Sequence, residues 1–199
     1  MRKINYNSQR DNDDFGGRFK AFNQCFSTCA VMLMSFYSHN VSGDDDIFLK
    51  KYLYDIEATL NPSGLGARLK MKYKWIKGAT SLWWLVQKDA ITDYLHHFGT
   101  KGQAVFYDDN CLIGSLPDFA TVSPFILGTS KLGGLPGGHI ILVIEYNIKT
   151  GALVCHDPFG DARTNYKSTK GAYVEYPLGW ITPFIQVSKD CCRILRWVI

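Results

Sequence analysis

Residues 138–161 read GHIILVIEYNIKTGALVCHDPFGD. Two short apolar runs, 139–146, rich in β-branched residues, and 152–157, flank a polar connection, Asn-Ile-Lys-Thr-Gly. β-Branched side chains crowd a helix but suit a pleated strand, and Asn and Gly favour chain reversal. The pattern predicts an antiparallel hairpin with its turn near Ile148 or Lys149. His139 and Asp157 are each nine residues from Ile148. The hairpin therefore sets them opposite each other, or within a residue or two of it, at its open end. There a carboxylate can hold an imidazole in one tautomer. His156 has the opposite parity to Asp157, so it is expected on the other face in a structural role.

Outward from the hairpin, GGLPGG (133–138) is a flexible loop leading into His139. Further short β-rich runs occupy 103–107, 123–127, 172–187 and the tail CRILRWVI, separated by Gly, Pro, Asn and Asp. The first half differs. Residues 25–37, CFSTCAVMLMSFY, form an apolar run without Gly or Pro, long enough for a buried helix, with Asn23 as its expected N-cap. Residues 43–60 predict a second helix with Asp44, Asp45 and Asp46 in its acidic first turn, stopped by NPSGLG at 61–66. A third is expected over 80–98, ending at Gly99. Helices early and strands late give an α+β fold with a largely antiparallel sheet, as one domain over 1–199.

Composition narrows the function classes. The chain has 199 residues, 46% hydrophobic and 14% aromatic, enough for a core. A net charge of +4 is too small to argue for nucleic acid, yet it favours a polyanionic surface such as a bacterial wall. Met1–Asp14 lacks the apolar core of a secretory signal, and no apolar run approaches the roughly 20 residues of a membrane span. The expectation is a soluble protein made in the cytoplasm. Without Cys-x-x-Cys a zinc site is not expected, and a helix start explains Asp44–Asp46 more simply than a metal. No cofactor is implied. The six cysteines (Cys25, Cys29, Cys111, Cys155, Cys191 and Cys192) read as free thiols. Trp75, Trp83 and Trp84 near Lys70, Lys72, Lys74 and Lys77 read as core aromatics beside a solvated face, with a glycan-contacting face as the alternative.

Cys25 stands where a polar loop meets the buried helix. The positive end of the helix dipole favours thiolate there, and the unpaired N–H of the first turn can donate to an oxyanion. A lone cysteine so placed is more often a small buried hydrophobe, but His139 and Asp157 give it a base and an orienting carboxylate. Gln9, in SQRDN, lies in the loop before Cys25, and its amide could supply a second oxyanion donor.

The order Gln, Cys at a helix start, His at a strand start and Asp-Pro resembles the papain-like cysteine peptidases. It looks specifically like those related to the bacteriocin double-glycine leader peptidases, including their lysin-like branch. The matching segments are SQRDN, QCFSTCAVMLMSFY, SPFILGTSKLGGLPGGHIILVIEYN and VCHDPFGD, spread over 9–161. Met32 on the helix, Gly138-His139 opening the strand and Asp157-Pro158-Phe159-Gly160 fit the pattern. Phe26 stands where Gly or Asn is frequent, Glu145-Tyr146 where Gly-Tyr is usual, and the Gln9–Cys25 spacing is long.

The resemblance implies a papain-like fold, its catalytic helix packed on the sheet, and a triad of Cys25 nucleophile, His139 base and Asp157 orienter, with Gln9 in the oxyanion hole. It implies hydrolysis of amide bonds. The first substrate expected is a peptide of bacterial peptidoglycan, cut by a phage or bacterial lysin that reaches the wall after lysis or in a virion. The second is a peptide or protein matured by a processing peptidase. A non-enzymatic binding module is the third reading, against which the intact Cys, His and Asp argue.

Overall fold

The computed structural model describes residues 3–14, 20–41, 43–48, 79–188 and 190–199. Most of the expected 43–60 helix, together with Trp75 and the four lysines near it, lies outside them.

Residues 25–37 form α1 (Cys25–Tyr37), with every side chain from Phe26 to Met34 buried. Burial on all sides is what an uninterrupted apolar helix requires. Gln24, not Asn23, is the N-cap residue, and it makes no side-chain cap bond. α2 is a single turn, Asp45–Phe48, and α3 runs Ala79–His97. Then come β1 (Gln103–Leu112), α4 (Leu116–Val122), β2 (Phe125–Ser130), β3 (Gly138–Asn147), β4 (Ala152–His156), β5 (Val174–Pro177), α5 (Leu178–Ile185), β6 (Gln186–Ser188) and β7 (Cys191–Val198).

The strands form one sheet in the order β1-β7-β2-β3-β4-β5, with β6 attached to β7, and every pairing is antiparallel. The fold is thus α+β. Alternation along the strands feeds two cores. Ile126, Leu142, Ile144, Leu195 and Trp197 pack with α1 and α3. Phe125, Leu127, Ile141, Val143, Leu153 and Ile194 pack with Leu116 and Ala120 of α4 and Ile181 and Ile185 of α5. With both faces covered, the central strands carry continuous apolar sequence.

Two stretches differ from the sequence reading. Within 172–187, only 174–177 and 186–188 are strand, and 178–185 is helix. Ile181 and Ile185, four apart, bury one helical face, and the rings of Trp180 and Phe184 meet at a tilt with centroids 5.2 Å apart. Tertiary packing thus outweighed the β-branched composition and Pro183. The sequence reading also contained no α4, a two-turn helix opened by Pro117 in its first turn, too short to show a period.

Candidate active site

The β3–β4 hairpin pairs Asn147 with Ala152 and Leu142 with His156, and a bulge at Ile144 shifts the register between them. The last pair puts Asp157 one residue past β4, level with Ile141 and diagonal to His139. The diagonal is spanned by the side chains: His139 Nε2 lies 2.8 Å from Asp157 Oδ1. Both residues are buried, His139 at 2% exposure and Asp157 at 0%.

Asp157 is held on every side. Its Oδ1 also accepts from Phe159 N–H at 3.0 Å. Its Oδ2 accepts from Tyr176 Oη at 2.8 Å and Tyr166 Oη at 3.2 Å. Its main-chain N–H donates to Gly171 O at 2.9 Å, and its carbonyl accepts from Tyr6 Oη at 3.0 Å. Position 171 must be glycine, because a Cβ there would fall 1.9 Å from Asp157 O. A buried carboxylate with this many donors is fixed in position. The hydroxyls of Tyr166 and Tyr176 stay protonated far above neutral pH, through burial first and then the Asp157 charge.

Cys25 begins α1 and is half-buried. Its sulfur lies near enough to the His139 ring to favour the charged imidazole. The ring is enclosed edge-on by Phe159 and Tyr166, with centroids 6.3 and 5.9 Å away. Burial disfavours an imidazolium, but Asp157 and the Cys25 sulfur outweigh it and push His139 up to about 10. Cys25, His139 and Asp157 therefore lie together in one site, with the imidazole bonded to the carboxylate.

Polar side chains anchor the start of α1. Gln24 Oε1 accepts from Asn12 Nδ2 at 2.8 Å, and Gln24 Nε2 donates to Asp13 O at 2.7 Å. Asn12 Nδ2 also reaches Thr28 Oγ1, which donates to Asp45 Oδ2 at 2.6 Å. Burial raises the Asp45 carboxyl pKa, with the Thr28 bond opposing. Asp44–Asp46 thus belong to the frame around α1, and no metal-ligating group of three His, Cys, Asp or Glu occurs among the described residues.

Gln9 is buried in a 3-10 turn, Gln9–Asp11. Its N–H donates to Pro158 O at 3.0 Å, next to Asp157. Its Nε2 donates to Phe22 O at 2.8 Å, in the turn that delivers Cys25, and its Oε1 has no partner among the described residues. Gln9 therefore sits between the Asp157 loop and the Cys25 loop, with its amide turned to backbone carbonyls. His156 bonds Ile4 O through Nε2 at 2.9 Å and accepts from Tyr173 N–H at Nδ1, so its ring takes no part in the His139–Asp157 bond.

Sequence reasoning did not find Tyr166 and Tyr176. The alternation of β5 marks Tyr176 as inward-facing, but no local pattern marks Tyr166. A groove of about 340 Å³ opens beside Cys25, lined also by Phe26, Trp84, Ile140, Phe184 and Val187. Trp84 thus serves both the core and the groove.

No family model matches the chain, and no curated protein matches it. No helix among the described residues is long and apolar enough to cross a membrane.

Proposed function

We propose that this protein is a cysteine peptidase of papain-like type that hydrolyses amide bonds. The observation that carries the reading is the His139–Asp157 bond of 2.8 Å, with the Cys25 sulfur near the same ring at the start of α1. In the proposed cycle the Cys25 thiolate attacks the scissile carbonyl carbon, and the C=O becomes an oxyanion facing the Cys25 N–H and the Gln9 amide. His139 gives its proton to the leaving nitrogen as the C–N bond breaks. Water then attacks the thioester, His139 takes its proton, and the acid leaves as the thiol re-forms. Asp157 keeps the ring oriented throughout.

Two substrates fit this chemistry. A peptidoglycan peptide is supported by the net charge of +4 and by the lysin-like resemblance, with delivery to the wall by phage lysis or a virion as the matching setting. A peptide or protein to be processed is supported by the apolar groove beside Cys25. Incubation with sacculi and with unfolded protein substrates, followed by mass spectrometry, separates them. Either substrate should yield new amino groups and no new reducing ends. Reducing ends from pure protein would refute thiol chemistry.

A further inference from the structure

The sheet divides at Arg193. β7 pairs with β2 only through Ile194, Leu195 and Arg196, the last pair being Leu127 with Ile194. At Cys191 and Cys192 its partner on that side is β6. β2 runs on past the division as Gly128, Thr129 and Ser130, still paired with β3. These three residues, Gln186 and Val187 of β6, and Arg193 all line the groove that holds Cys25.

The phase of the β2–β3 ladder sets where the main-chain groups point. Lys131 N–H donates to Gly137 O at 2.7 Å. By alternation Thr129 turns its N–H and C=O to His139 of β3, and Ser130 turns its own away, toward the side β7 has left. β6 pairs with β7 alone among the described residues. The groove is therefore a slot in a sheet, bordered by strand edges. Its floor is apolar. Gly128 makes room for this, because a Cβ there would lie 2.9 Å from the Trp84 ring. Arg193 is engaged by Asp108, Nε to Oδ1 2.6 Å, so its charge is already answered.

We infer that this slot takes an extended peptide, which adds to the open β2 edge at Ser130 and seats a bulky apolar side chain against Phe26, Trp84 and Val187. Strand addition supplies main-chain hydrogen bonds and the pocket supplies selectivity. The slot is continuous with Cys25, so the bound chain is led past the thiol. The inference rests on the peptidase reading for its consequence, and it specifies the substrate class: a flexible peptide or unfolded segment bearing a large apolar residue.

Binding to the Cys25→Ala protein tests the slot without turnover. Acetylated hexapeptides with Phe, Asp or Lys at each position in turn are titrated by fluorescence anisotropy. At one position the Phe peptide should bind at least about tenfold tighter than Asp or Lys. Val187→Asp, at an exposed site, should remove that preference. Ser130→Pro deletes one N–H at the open edge and should weaken every peptide by about tenfold, with the unfolding midpoint confirming the fold. No binding, equal affinity across the three residue types, or affinity untouched by both substitutions would overturn the inference. Selective binding with no cleavage by the wild-type protein would leave the slot standing and defeat the peptidase reading.

Discussion

Tyr176 donates its hydroxyl to Asp157 Oδ2 at 2.8 Å, while His139 occupies Oδ1 of the same buried carboxylate. The carboxylate is thereby clamped between the ring it orients and a tyrosine of the neighbouring strand. A hydrogen bond to a charged group contributes about 1.5–3 kcal/mol. Tyr176→Phe should cost about that much stability, read as a lower urea midpoint at constant slope. Under the proposed function it should lower kcat with little change in KM. Tyr166→Phe, whose bond is longer at 3.2 Å, should cost less. The reverse order would show that Tyr166 is the principal support.

Among the six thiols, Cys25 should be alkylated first near neutral pH. It is half-buried at a helix start beside His139, whereas burial raises Cys29 and Cys155 well above the usual thiol range. Mass spectrometry after brief iodoacetamide treatment reads the order. First labelling at Cys111 or Cys191 would contradict this account of the Cys25 environment.

A histidine titrates near 6.5 in an unfolded chain, and His139 titrates at about 10 in the folded one. Burial works against the charge, and Asp157 with the Cys25 sulfur prevails. Protonation therefore favours the native state: its stabilisation is complete below about pH 6.5 and is lost as pH rises through about 10. Wild-type protein should lose stability across that window, and His139→Gln should show a flatter profile. Matching profiles for the two proteins would mean that His139 does not carry a proton in the fold.

Gln9→Ala should lower turnover by about 10²–10³, the usual cost of removing one oxyanion donor. Its Nε2 now bonds Phe22 O, so this role requires the turn before Cys25 to yield when substrate binds. Full activity in Gln9→Ala would reduce Gln9 to a tie between the Asp157 and Cys25 loops and leave the triad untouched.

If sacculi are a substrate, their turnover should fall as salt rises, because approach of a +4 protein to an anionic polymer is screened. Alkylation of Cys25 by a small neutral reagent should stay constant. A salt-independent rate on sacculi would remove charge from the argument for the wall.

The hairpin and α1 were legible because their apolar patterns are long and their ends are marked by Gly, Asn and Asp. The parity argument set His139 and Asp157 on one face, two positions from direct opposition; the bulge at Ile144, which no residue announces, helped to set that offset. α4 and α5 were not legible. Each is two turns long, and α5 is built from residues that also suit a strand. The tyrosines on Asp157 stand only 9 and 19 residues beyond it, but no hairpin pattern aligns them with it, and only the folded chain brings their hydroxyls to the carboxylate. The amide of Gln9 shows the same limit, since a sequence indicates its nearness to Cys25 but not the direction in which it points.

The central claim is that the Cys25 sulfur does the chemistry. Amide hydrolysis by the wild-type protein and by Cys25→Ala, with matched circular dichroism and unfolding midpoints, tests it most directly. The account predicts release of new amino groups by the wild type and none above background by Cys25→Ala. Equal release by the folded Cys25→Ala protein would contradict it.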